Sequence, residues 1–199
     1  MELTIKRNAK IFKGVRFHFS TSESIDAKYN ITGGLWLRKI TLRNEQGVIY
    51  VMKQKSIFKK LLSLPLQFII SPSFPDFYIY QEGQLIGKSF YKFSSEPNKI
   101  KINNDIYETQ LHSKNYMSIF KNGIQVALLQ RGETIILGSV DYKVFCDKAF
   151  FQNKELLVLL TAFLDILYWR PTWSFAIVQK RVTIGKEDFP EMISWRPIE

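Results

Sequence analysis

Cysteine is nearly absent from this chain: Cys146 is the only one in 199 residues. An intramolecular disulfide and a cysteine-cluster metal site are therefore excluded, and a reducing, cytoplasmic setting is the expectation. Histidine is almost as scarce. His18 and His112 stand far apart in sequence, which excludes a histidine-rich metal site within one chain. No apolar run reaches the roughly 20 residues that a helix needs to cross a bilayer. The opening MELTIKRNAK lacks the apolar core of a secretory signal. Gly-rich phosphate loops, a G-x-S-x-G elbow and a spaced carboxylate pair are missing as well. Cys146 itself sits in an apolar stretch, DYKVFCDK, which suits a packed thiol better than a nucleophile. These absences point to a non-enzymatic protein with no cofactor and no metal.

What is present is apolar and basic. Hydrophobic residues make up 46% and aromatics 15%, enough to build one well-buried domain over residues 1–199. The net charge of +10 draws polyanions: acidic lipid head groups, phosphorylated ligands or nucleic acid. Excess lysine serves solubility equally well, so charge alone selects no ligand.

The segment Leu156–Trp169, LLVLLTAFLDILYW, stands apart from a chain that otherwise alternates like β-structure. At about 14 residues it is too short to span a membrane. A helix apolar nearly all round must be enclosed, and the rest of the chain offers only sheet to enclose it. Lys154, Thr161, Asp165 and Tyr168 fall at i, i+7, i+11 and i+14, a single narrow polar stripe. Asn153 suits the N-cap, and Pro171 closes the segment by disfavouring helix at Arg170. The expected helix is thus approximately 154–169, with a C-terminal tail over 185–199. Asp165 is expected to be a buried carboxylate held by barrel backbone or by a nearby arginine.

Elsewhere the organisation is a series of β-hairpins. Leu35–Arg43 and Val48–Lys53 flank Asn44-Glu45-Gln46-Gly47; Phe77–Gln81 and Gln84–Tyr91 flank Glu82-Gly83; Tyr116–Lys121 and Ile124–Gln130 flank Asn122-Gly123. Further strands are expected at Leu3–Lys6, Val15–Phe19, Gln67–Ile70, Ile100–Ile102, Ile106–Gln110, Thr134–Leu137, Tyr142–Cys146, Ser174–Gln179 and Arg181–Ile184. Strands do not alternate with long helices, which argues against a parallel α/β sheet. Two hairpins repeat one pattern: Ile79–Gly87 aligns without gaps on Ile119–Ala127. Leu42–Val51 is a looser third copy, expected to carry one extra turn residue.

Three features together resemble the tubby C-terminal-like superfamily, which includes the LURP-one-related and phospholipid-scramblase-like proteins. They are Tyr50-Val51-Met52-Lys53-Gln54-Lys55 leading through Leu61-Leu62-Ser63-Leu64 to Phe68-Ile69-Ile70, the repeated hairpin best seen in Phe120–Ala127, and the apolar helix near the C-terminus. The resemblance covers roughly residues 35 to 185. It implies a mainly β fold: a closed, mostly antiparallel barrel of about twelve strands around a buried hydrophobic helix. It also implies binding of phosphoinositide-like head groups by basic residues on the barrel surface. The acidic loop and cysteine cluster of true scramblases are absent, so scrambling is not implied.

The candidate site follows from Lys53–Phe68, KQKSIFKKLLSLPLQF. Were Ser56–Leu64 helical, Ile57, Phe58, Leu61 and Leu62 would share one side, flanked by Lys55, Lys59 and Lys60. Such a basic amphipathic element suits a membrane surface, each lysine contributing about 1 kcal/mol near anionic lipid. Lys53 adjoins this region, and Lys88, Lys92 and Lys121 lie on neighbouring hairpins. The expected partner is an anionic membrane surface or a phosphorylated ligand. Nucleic acid is a competing reading, since aromatics between lysines, as in Tyr91-Lys92-Phe93, can stack on bases. A protein-interaction scaffold is the third.

Overall fold

The computed structural model describes residues 1–9, 15–32, 37–54, 77–90, 98–112, 115–132, 139–168 and Trp195. Twelve strands lie in these residues: β1 Glu2–Ala9, β2 Val15–Thr21, β3 Asp26–Thr32, β4 Leu37–Asn44, β5 Gly47–Gln54, β6 Phe77–Gln81, β7 Gln84–Phe90, β8 Asn98–Ile102, β9 Asp105–Leu111, β10 Tyr116–Lys121, β11 Ile124–Arg131 and β12 Val140–Cys146. Every neighbouring pair is antiparallel, and β1 pairs with both β2 and β12, so the sheet closes into a barrel. A short helix α1, Lys148–Phe151, leads into the long helix α2, Lys154–Tyr168.

Period-2 alternation builds the wall. Leu3, Ile5 and Arg7 of β1 are buried while Glu2, Thr4 and Lys6 are exposed, and β8 alternates the same way along Asn98–Ile102. The inward side chains form one apolar core with α2. Every residue of that helix from Leu156 to Asp165 is buried. The Phe163 ring packs edge-on against Phe77 of β6, centroids 5.2 Å apart. Asp165 meets Arg7 of β1 and Tyr142 of β12. In the ring of strands β6 lies diametrically opposite β12. Two residues along a helix turn about 200°, so Phe163 and Asp165 reach opposite walls. The helix therefore runs inside the barrel. Its first hydrogen bonds are accepted by the Asn153 carbonyl, at the expected cap position, and it ends at Tyr168, one residue short of the expected limit.

The Arg7–Asp165–Tyr142 cluster is the polar exception in that core. Arg7 Nη1 donates to both carboxylate oxygens of Asp165, at 2.7 and 2.9 Å, and the Tyr142 hydroxyl donates to the same group. Arg7 and Asp165 are 1% and 0% exposed, so this pair answers the expectation of an arginine partner. Burial pushes the Asp165 carboxyl up from its ordinary range, and the Arg7 guanidinium opposes that shift. Burial, then the Asp165 charge, push the Tyr142 hydroxyl well above the usual tyrosine range, keeping it protonated as a donor.

The hairpin repeat is exact in register. Ile79 pairs Gly87 and Tyr80 pairs Leu85; Ile119 pairs Ala127 and Phe120 pairs Gln125, each with a bulge at the same step. Positive φ at both residues of Glu82-Gly83 and of Asn122-Gly123 marks both as type I′ turns, the type that Asn-Gly favours. The third copy corrects an expectation. Leu42 pairs Tyr50 and Arg43 pairs Val48, the same spacing as the other two, so Leu42–Val51 carries no extra turn residue. Strand β3 was not foreseen: DAKYNIT alternates, but Asp, Ala, Lys and Asn are poor strand formers. The expected strands Gln67–Ile70, Thr134–Leu137, Ser174–Gln179 and Arg181–Ile184, and the tail 185–199 apart from Trp195, lie outside the described residues. The barrel closes without them.

Breaking the buried pair leaves an uncompensated charge. Asp165→Leu and Arg7→Met should each cost about 3–5 kcal/mol in urea unfolding, while the double variant recovers most of the loss. Additive losses would show that the two residues do not act as a pair.

Candidate functional site

Antiparallel order sorts the barrel into two ends. The turns β2–β3, β4–β5, β6–β7, β8–β9 and β10–β11, and the β12–α1 junction, gather at one end, called the tip end below. Val48, Leu85, Ile106 and Ile124, which follow four of these turns, are exposed there. So are the carboxylates Glu23, Glu45 and Glu82. Phe150 of α1 stacks on Tyr107 at the same end, ring centroids 5.9 Å apart.

Charge is sorted around the wall as well. The strands β4 to β8 contain no Asp or Glu, yet carry Arg38, Lys39, Arg43, Lys53, Lys88, Lys99 and Lys101. Elsewhere carboxylates stand on β1, β3, β9 and β12 (Glu2, Asp26, Asp105, Glu108 and Asp141), while β2, β10 and β11 carry one Lys or Arg each and no carboxylate. Lys53 and Lys88 are both exposed on this cationic wall, one strand apart, with Tyr78 of β6 in register between them. The Lys53 ammonium also lies 4.3 Å from the centre of the Tyr80 ring. A cation over an aromatic face holds its stem against the sheet and keeps its charge available to solvent.

Two of the expected site residues, Lys53 and Lys88, are thus brought together. Lys121 is not. It ends β10 at the tip end, with Nζ 2.9 Å from Asp105, and the Lys121 and Asn122 hydrogen bonds hold the Asp105 carboxyl below its ordinary range. Lys55, Lys59, Lys60, Lys92, Ile57, Phe58, Leu61 and Leu62 lie outside the described residues. Lys39 and Lys101 complete the wall and were missed by sequence reasoning. Lys39 follows Arg38 and Lys101 lies two residues after Lys99, but only strand register places them beside Lys53 and Lys88.

Cys146 and the His112–Ser118 pair are packed away. Cys146 is fully buried, and burial pushes its thiol up to about 11, where it stays protonated at neutral pH. His112 Nε2 lies 2.7 Å from Ser118 Oγ, and Gln125 Nε2 donates to the same hydroxyl at 2.8 Å. Ser118 is 0% exposed, so this dyad has no solvent-facing nucleophile. Among the described residues no three His, Cys, Asp or Glu side chains are grouped to hold a metal ion, and no helix is long and apolar enough to cross a membrane. Comparison with protein-family models, curated proteins and solved structures gives no match to this chain.

Burial holds the His112 imidazole below its ordinary value of 6.5, so the folded protein keeps it neutral. The unfolded chain binds its proton first. Stability is therefore full above the unfolded value and is lost as pH falls through 6.5 toward the lower folded value. His112→Gln should flatten the decline in Tm between pH 7.5 and pH 5.5; an unchanged slope would assign that decline to other groups.

Proposed function

We propose that this chain is a non-enzymatic, tubby-like barrel that binds anionic phospholipid, or another phosphorylated ligand at a membrane surface, through its lysine-rich wall. The observation that carries this reading is the run of strands β4 to β8, which bears lysine and arginine and no carboxylate. A one-signed face over nearly half of a closed barrel orients the molecule toward a polyanionic surface. Its carboxylate partners come only from the flanking strands, Asp26 opposite Arg43 and Glu108 paired with Lys99. Lysine suits this role because its ammonium grips phosphate as a point charge on a flexible stem. The basic amphipathic segment around Lys55, Lys59 and Lys60 adds to the same charge in sequence. Binding is reversible and occurs at the cytoplasmic face, in keeping with a single buried thiol.

Protein contact is a second reading, favoured by the exposed aliphatics Val48, Leu85, Ile106 and Ile124 at the tip end. Glu45 and Glu82 in the same turns oppose an anionic membrane there, so the two readings use different parts of the barrel.

Co-sedimentation with vesicles tests the proposal. Binding should rise with anionic-lipid content, be absent on zwitterionic vesicles, and fall steeply in 0.5 M salt. Lys53→Glu/Lys88→Glu should abolish it without lowering Tm. Equal retention on zwitterionic vesicles would contradict the proposal.

A further inference from the structure

Strand register arranges the cationic wall more closely than its composition requires. Lys39 of β4 is the direct partner of Lys53 of β5; Lys53 pairs Tyr78 of β6; Tyr78 pairs Lys88 of β7; and Lys88 pairs Lys101 of β8. The four lysines and the tyrosine therefore occupy one continuous row across the outer face. Each step is about 4.8 Å, so the row is about 19 Å long.

Like charges directly opposite one another destabilise a sheet, and opposite charges stabilise it. The rest of the barrel follows that rule. Lys6 opposes Asp141, Asp26 opposes Arg43, and Lys99 opposes Glu108 with an ion pair of 2.7 Å. Among all the described strand pairs, only Lys39–Lys53 and Lys88–Lys101 set cation against cation. Both fall in this one row, symmetrically about Tyr78. Across each pair the two ammonium groups repel, whereas an oxyanion between them turns that repulsion into a shared grip.

We infer that Lys39, Lys53, Lys88 and Lys101 form a two-point phosphate site, each lysine pair holding one lipid head-group phosphate, with Tyr78 lying between them at the membrane interface. The inference rests on the anionic-membrane reading above and names the residues and geometry of its contact. The row follows the hydrogen-bond direction. In a barrel of tilted strands that direction is oblique to the circumference, so the row curves away from a flat surface less than five strands would suggest. The four long stems span the remaining gap. Tyrosine is suited to the place between them, with an apolar ring and a polar hydroxyl at head-group depth.

The test is vesicle binding by two doubly substituted proteins of equal charge. Lys39→Gln/Lys101→Gln removes the outer lysine of each pair. Lys6→Gln/Lys143→Gln removes two exposed lysines from β1 and β12, on the opposite side of the barrel. On vesicles containing phosphatidylglycerol, the first should bind about thirty-fold more weakly than wild type, and the second less than threefold. The first should also unfold no earlier than wild type, because each substitution relieves a like-charge contact. Equal weakening of both variants would overturn the site and leave the anionic-surface reading standing. Failure of the wild type to bind these vesicles would overturn both. Displacement by inorganic phosphate at matched ionic strength would make this a site for free phosphate and overturn the lipid assignment. So would tighter binding of single-stranded DNA that is lost in Lys39→Gln/Lys101→Gln, which would assign the row to nucleic acid.

Discussion

A carboxylate at the centre of a β-barrel is the constraint around which this molecule is arranged. Asp165 sits on the innermost helix with no access to water, where an unpaired charge is untenable. Arg7 reaches it from β1 and Tyr142 from β12, the two strands whose pairing closes the barrel. The charge on the helix and the closure of the sheet are therefore satisfied by the same contacts. Such a pair adds little net stability over an apolar replacement. Its contribution is positional. With Phe163 seated on Phe77 across the barrel, only one rotation and one depth of the helix bring Asp165 to Arg7.

The interior of the barrel is filled and its outer wall is not uniform. Inward side chains and helix form a single apolar core, so the barrel is filled. That wall is divided. Near the closure, β12, β1 and β3 set carboxylates among their cations, and the opposite strands, β4 to β8, carry none. The closing seam and the cationic wall thus occupy different sides, and the residues that hold the fold together differ from those we propose to meet an anionic ligand.

Much of the architecture was legible in the sequence because it rests on local patterns. The helix shows as an apolar run with a narrow polar stripe, and the hairpin turns show in Asn122-Gly123 and Glu82-Gly83. The buried role of Asp165 follows from its place in the stripe, although its partner, 158 residues away, does not. Strand β3 was missed because its outward Asp26 and Lys28 and its inward Ala27 are weak strand formers. The spacing of the third hairpin was misread because its glycine, Gly47, stands one place after the turn, at the position of Gln84, and not in it like Gly83. The site shows the same limit more sharply. Lys53 and Lys88 were found from basic character and hairpin position, and Lys121 was grouped with them on the same grounds, yet Asp105 holds it elsewhere. Lys39 and Lys101 carry no local signal, since their significance lies in which residue stands opposite.

Native-state hydrogen exchange of the α2 amides tests most directly the claim that the enclosed helix and the barrel are one cooperative unit. Amides of Val158 to Leu164 should exchange with the same free energy and denaturant dependence as those of β1 and β12, through global unfolding alone. Exchange of the helix at a distinctly lower free energy, with the strands still protected, would show that the helix leaves an intact barrel and would contradict the account.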